Sequence, residues 1–258
     1  MIRTGLVSVT FRQLAPQEII ALVGQARLQG IEWGGDIHVP HGDFIRAAEV
    51  RRQTADAGLV VSAYGSYYRV GLSEAQGLPF ERVLESAVAL GAPVIRVWAG
   101  AAGAKDTSHG DWERIVLDSR RIATLAAAAG IAIGYEFHGK TLTDTHDSTR
   151  KLLDDVAHPN VYSFWQPPTE ATAELCREGL QSLLPRVSNV HVFHWLPATQ
   201  ERRPLAEGFE RWQSFIRILR CSGRKHFASL EFVRDNAPEA FLRDAQVLKT
   251  LCEMPDGK

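Results

Sequence analysis

Two glutamates stand where a carboxylate is expensive. Glu136 lies in Tyr135-Glu136-Phe137-His138 and Glu231 in Leu230-Glu231-Phe232, each within an otherwise apolar run. Taking a carboxylate out of water is costly unless it is paired, hydrogen-bonded or metal-bound. His191, in Val190-His191-Val192, is a third polar group in an apolar run. Two carboxylates and an imidazole suit a divalent-metal site or a general acid/base pair that moves a proton. Structural roles stay open for the same residues. A strand glutamate can pair with Arg96, and His191 can be a hydrogen-bonded core histidine.

Other polar and aromatic groups fall close to these three in the pattern. Side chains alternate along a strand, so Glu136 and His138 share one face, as do His191 and Phe193. Glu32, Arg96, Trp98 and Gln166 also stand in or beside short apolar runs. His38, His41, His138 and His194 read as loop residues that meet solvent or substrate. Trp33, Trp98, Trp165 and Trp195 either pack the mouth of the fold or form an apolar wall for the C–H face of a sugar. Arg202 and Arg203 read as a solvated loop, with contact to a substrate anion as the alternative. Thr143-Asp144-Thr145-His146-Asp147 reads as turn and capping chemistry.

These residues need strands to carry them, and the chain alternates between strand-like and helix-like segments. Apolar β-rich runs cover residues 4–9, 30–33, 59–64, 94–98, 131–137, 161–165, 189–193 and 228–233. Most are apolar at nearly every position, as suits strands covered on both faces. Helical patterns lie between them at 16–29, 43–57, 79–90, 111–129, 147–156, 169–184, 209–220 and 238–252. Pro16 fits a first helical turn, and Asp43 a helix N-cap. Gly30, Gly58, Gly91 and Gly130 each follow a helical pattern and precede a strand, where a left-handed residue ends the helix. Eight such units predict a single (β/α)8 TIM barrel as one domain over 1–258. A doubly wound sheet is disfavoured because no GxGxxG follows the first strand. In a barrel, the residues singled out above gather at the C-terminal ends of the strands.

Composition narrows the function further. The chain has 258 residues, 45% hydrophobic and 23% charged, with a formal net charge of -1. That balance argues against a bulk electrostatic grip on nucleic acid or on an anionic membrane. No apolar run reaches the ~20 residues of a membrane span, and no secretory h-region follows Met1. Cys176, Cys221 and Cys252 are scattered without a CxxC, which argues against disulfides and a cysteine-zinc site. A reducing cytoplasm is the expected location. Pairing of two copies through aromatics such as Trp112 and Trp212 stays open.

Taken in order, Gly30-Ile31-Glu32, Tyr135-Glu136-Phe137-His138, His191-Val192, Pro204-Leu205-Ala206-Glu207-Gly208 and Leu230-Glu231-Phe232 resemble the xylose isomerase-like TIM-barrel superfamily of sugar phosphate isomerases and epimerases. The resemblance spans almost the whole chain. It implies a divalent cation (Mn, Mg, Co or Zn) held by Glu136, Gln166, His191 and Glu231. Gln166 stands where the family has Asp, which removes a negative charge and weakens the hold on the ion. The resemblance further implies a small carbohydrate substrate, phosphorylated or not, and proton transfer beside its carbonyl through an enediolate. Glu136 and Glu231 would then be the acid/base pair. His138 would orient or donate to a substrate oxygen, with Arg96 and His194 as further substrate contacts. Trp33, Trp98 and Trp165 would shape the pocket.

Three other readings share the scaffold. A sugar or inosose dehydratase begins with the same proton abstraction and then loses hydroxide. A zinc nuclease of the endonuclease IV type needs more metal ligands and a basic groove. A metal-free, non-catalytic sugar-binding barrel is a further alternative that Gln166 keeps open.

Overall fold

The computed structural model describes residues 1–255, and in it eight parallel strands close into a barrel in sequence order. The strands are β1 (Ile2–Val7), β2 (Gly30–Gly34), β3 (Val60–Val70), β4 (Val94–Ala99), β5 (Ala132–Glu136), β6 (Val161–Trp165), β7 (Val187–Val192) and β8 (His226–Leu230). The helices that follow them are α1 (Pro16–Ala26), α2 (Phe44–Asp56), α3 (Phe80–Leu90), α4 (His109–Ala128), α5 (His146–Val156), α6 (Ala173–Leu183), α7 (Phe209–Arg220) and α8 (Pro238–Glu253). The TIM barrel expected from the alternation is therefore the fold. None of the helices is long and apolar enough to cross a membrane, among the described residues.

Two cores result from covering each strand on both faces. The larger lies between strands and helices, where Trp33, Trp165, Trp212 and Phe215 are fully buried. A smaller one, of Ala63, Val94 and Phe164 with Ala132, fills the barrel interior. Space inside the barrel is tight enough to dictate glycine. A Cβ at Gly65 would stand 2.6 Å from Arg96 Nη2 and 2.9 Å from Glu32 Oε1. That bare position on β3 lets the Arg96 side chain lie across the barrel.

Strand limits differ from the sequence pattern where polar residues interrupt an apolar run. β3 continues through Gly65-Ser66 to Val70, with a bulge between Gly65 and Arg69, and Arg69 pairs with Trp98. β1 gives way at Ser8 to a 3-10 turn. β8 stops at Leu230, so Glu231 is the first residue beyond the strand. Of the four predicted glycine stops, Gly58, Gly91 and Gly130 have φ of 74°, 74° and 70°. Gly30 does not serve this way. Arg27 ends α1 in the left-handed conformation, and Gly30 lies within β2, where a Cβ would meet the Phe227 ring at 2.7 Å.

The β7–α7 connection is tied down by a buried acid. Asp244 on α8 accepts a hydrogen bond from Leu205 N at 2.9 Å. Burial pushes its pKa up to about 6, against the pull of the Leu205 amide and Arg243. The folded protein thus holds this proton more tightly than the unfolded chain. The destabilising cost of ionising Asp244 is absent near pH 4, develops as pH rises through about 6, and is complete above it. Asp244→Asn keeps an acceptor and removes the charge. It should raise Tm by about 2–4 °C at pH 8, on the order of 1–2 kcal/mol, and by almost nothing near pH 4. Thermal melts across that range check this; an equal shift at both pH values would refute it.

Candidate active site

Four strands deliver the central polar groups. Glu32 on β2, Arg96 on β4, Glu136 on β5 and His191 on β7 are all at most 3% exposed. Glu231, just beyond β8, is 5% exposed. Arg96 crosses the barrel and joins two carboxylates, with Nε on Glu32 Oε1 at 2.5 Å and Nη1 on Glu136 Oε2. Trp98 Nε1 donates to that same oxygen of Glu136. One oxygen of Glu136 is thus held by two donors, and Oε1 is the one turned toward the other site groups.

His191 is the hub of the opposite half. Its Nε2 lies 3.0 Å from Glu32 Oε2. Its Nδ1 faces three oxygens: Gln166 Oε1 at 3.1 Å, Glu231 Oε2 at 3.3 Å and Glu136 Oε1 at 4.0 Å. Phe164 supports the imidazole from below, ring centroids 4.8 Å apart. Burial opposes charge on His191, but Glu231 and Glu32 outweigh it and hold its pKa up at about 10. Burial likewise works against the Glu32 charge, yet Arg96 and then His191 bring its pKa down to about 2. Arg96 is held well above its ordinary value, because the two carboxylates overcome its desolvation.

These groups fit a divalent cation. Glu136, His191 and Glu231 each offer a ligand atom, and the three atoms lie within 4.8 Å of one another. Gln166 Oε1 adds a neutral oxygen beside them. A mixed N/O set of this kind suits Mg, Mn, Co or Zn. Glu32 on Nε2 fixes the ring so that Nδ1 faces the ligand oxygens, as the outer partner of a metal-ligating histidine does. The charges also balance. Three carboxylates against Arg96 and an imidazolium leave one negative charge, and a dication in place of the His191 proton leaves none. An Asp at position 166 would restore a negative charge to a dication-loaded site. With Gln166 at this position and Arg96 on Glu136, a dication-loaded site would be electrically neutral.

Above this layer is a cavity of about 410 Å³ at the barrel mouth. Glu136, His138, Gln166 and Glu231 contribute to its wall, with Phe193, Trp195 and Phe232 as its aromatic side. His138 stacks on Trp98, centroids 4.7 Å apart and planes 23° apart. Its Nδ1 lies 2.7 Å from Gly139 O. A carbonyl only accepts, so Nδ1 carries the proton and Nε2 presents its lone pair whenever the ring is neutral. Tyr67, with φ of 56°, stands edge-on to Trp98 at 5.5 Å and over the Arg96 guanidinium. Burial raises its hydroxyl to about 12, against the pull of Arg96, so it is a neutral donor at working pH.

Three residues expected at the mouth lie elsewhere. Trp33 is fully buried between sheet and helices, donating to Thr54 Oγ1 of α2 at 3.3 Å. Trp165 is fully buried against Trp212 and Phe215, with Nε1 on His146 Nε2 at 3.2 Å. Alternation explains both: Glu32 and Phe164 take the inward direction, so their neighbours point out. His194 lies against Gly208 and lines a separate surface hollow with Arg177 and Arg211. Glu32 is the residue that sequence reasoning left without a role. Its setting, Ile31-Glu32-Trp33, is the same carboxylate-in-an-apolar-run signal that singled out Glu136 and Glu231.

Comparison with known proteins places this arrangement. Residues 20–251 match the family described as xylose isomerase-like TIM barrel. The chain is 26% identical over 278 aligned positions to a 3-dehydroshikimate dehydratase of Bacillus anthracis, covering 95% of each protein. The crystal structure of AsbF, the probable 3-DHS dehydratase involved in petrobactin synthesis in Bacillus anthracis, superposes with a TM-score of 0.81 at 24% identity, covering 96% of this chain and 99% of that one. D-psicose 3-epimerase of Clostridium cellulolyticum H10, solved with D-tagatose, superposes with a TM-score of 0.73 at 16% identity, covering 98% and 100%.

Proposed function

This chain belongs to the xylose isomerase-like TIM-barrel family, and from that premise we propose that it is a lyase, a dehydratase that removes water from a hydroxylated cyclic keto acid of the 3-dehydroshikimate type. The observation that carries the choice is the tethering of Glu136. An epimerase built on Glu136 and Glu231 needs both carboxylates free to exchange protons on opposite faces of the substrate. Here one oxygen of Glu136 is occupied by Arg96 and Trp98, and Glu231 is drawn to His191 at 3.3 Å. The full-length likeness to a dehydratase points the same way.

We therefore assign Glu136, Gln166, His191 and Glu231 to holding a divalent ion and not to moving protons. When bound, that ion supplies Lewis-acid stabilisation to an oxyanion beside the reacting carbon. His138 acts as the base: Nε2 takes a proton from the carbon next to the carbonyl. The C–H electron pair becomes the new C=C bond as the hydroxyl on the following carbon leaves. The proton on His138 passes to the departing oxygen, so the products are the unsaturated keto acid and one water. Trp98 holds His138 by stacking, and Tyr67 offers a neutral hydroxyl donor to a substrate oxygen. Arg96 and Glu32 act through Glu136 and His191, as positioning residues.

Product analysis tests the reading. Metal-loaded protein given 3-dehydroshikimate should yield a product lighter by one water, with new ultraviolet absorption from the added conjugation. A parallel panel of ketoses should give no isomer. A product that has lost no water and carries solvent deuterium at the carbon beside the carbonyl would instead establish an epimerase.

A further inference from the structure

The segment after β7 carries a cation with no ion pair among the described residues. His194 to Arg203 forms a short hairpin at the barrel mouth. Arg203 N donates to His194 O at 2.8 Å, Leu196 N donates to Glu201 O at 2.9 Å, and Trp195 and Arg202 form an antiparallel bridge. Arg203 is fully engaged, on Glu201 and Glu207. Arg202 is different. It is half-buried, and among the described residues no carboxylate lies within ion-pair distance of it. Its one hydrogen bond runs from Nη1 to Asn236 Oδ1 at 2.6 Å. The guanidinium lies over Phe232 at 4.7 Å and near Trp195 at 5.6 Å, and both rings line the barrel-mouth cavity.

Two further observations point to a ligand for it. Trp195 Nε1 is buried and has no hydrogen-bond partner. A buried N–H without an acceptor is costly unless a ligand supplies one. Phe232, directly after Glu231, has φ of 53°. A non-glycine residue in that region is strained and persists where the surroundings enforce it. The strained turn brings the Phe232 ring against the Arg202 guanidinium. Burial also works against the charge on Arg202, with Glu231 only partly opposing it.

We propose that the hairpin after β7 is the anion-recognition element of this site, in which Arg202, with Trp195 Nε1 as a second donor, takes the carboxylate of the substrate. This rests on the dehydratase reading and deepens it, because it names the group that separates a keto acid from a neutral sugar. A planar guanidinium with free N–H donors matches a carboxylate geometrically, and its pairing is strongest where solvent is partly excluded. The aromatic faces hold the cation ready without neutralising it.

The test compares 3-dehydroshikimate with its neutral methyl ester on metal-loaded protein. The acid should be preferred by about 50-fold in kcat/KM, mainly through KM, as expected for one desolvated charge pair. Arg202→Gln should lose that preference by weakening the acid alone, leaving the ester within about twofold, and Arg202→Lys should restore part of it. If Arg202→Gln lowers acid and ester equally, Arg202 is structural and the inference fails. Calorimetry with shikimate, which lacks the ketone, separates this failure from that of the dehydratase reading. Binding weakened about tenfold or more by Arg202→Gln, with no turnover of any keto acid, keeps the anion site and discards the dehydratase. Turnover with neither KM nor shikimate affinity moved does the reverse.

Discussion

Glu231→Gln should empty the site of metal while leaving the barrel folded. Elemental analysis is expected to fall from about one divalent ion per chain to a small fraction, and turnover to fall on the order of 10²–10³-fold or more. The argument turns on which carboxylate is committed elsewhere. Glu32 is shared between Arg96 and His191, and Glu136 between Arg96 and Trp98. Only Glu231, among the described residues, faces the ligand nitrogen of His191 without any other cation within ion-pair reach. It therefore gives its charge to an ion most completely. Amidation would leave a dication facing two carboxylates already partly neutralised by Arg96, and the loaded site would carry an uncompensated positive charge in a buried setting. The fold loses little, because Glu32 still pairs with His191 at 3.0 Å. Circular dichroism and a thermal melt without added metal should match the parent protein. Full metal content together with full turnover would place both ion and chemistry elsewhere.

The barrel was legible because its grammar is local. Apolar runs and helical spacing repeat eight times, left-handed glycines close three of the helices, and the register follows from closing the sheet. What stayed hidden is the direction of side chains in strands that are apolar on both faces. Trp33 and Trp165 stand at strand ends, yet the inward places next to them belong to Glu32 and Phe164. An alternation count from Glu32 would have excluded Trp33, since an inward carboxylate forces its neighbour out. The role of Gln166 was hidden for a different reason. Its loss of charge looks like damage until Arg96, from another strand, is seen on Glu136. Pairing across strands decides the charge balance, and a single sequence does not print it. The same holds for Arg202: composition separates it in no way from Arg203, and only the hairpin shows one paired with carboxylates and the other, among the described residues, without an ion pair.

His138→Asn should stop proton removal and spare the metal. The asparagine amide can still donate to Gly139 O, as Nδ1 does now at 2.7 Å, so the local turn is preserved. What disappears is the lone pair at Nε2 and the ring that stacks on Trp98. Loss of a general base costs about 10²–10⁴-fold in rate, so kcat should fall by about 10³ with KM and bound metal nearly unchanged. Exchange of the proton beside the carbonyl with deuterated solvent, followed by NMR, should fall by the same factor. That profile is the complement of the one expected for Glu231→Gln, in which metal and rate are lost together. The pair of variants thus separates holding the ion from moving the proton. Should His138→Asn keep its solvent exchange, the proton must be taken by a carboxylate. The tether on Glu136 would then leave Glu231 as the base, and the two-carboxylate chemistry of the epimerases would have to be reconsidered for this site.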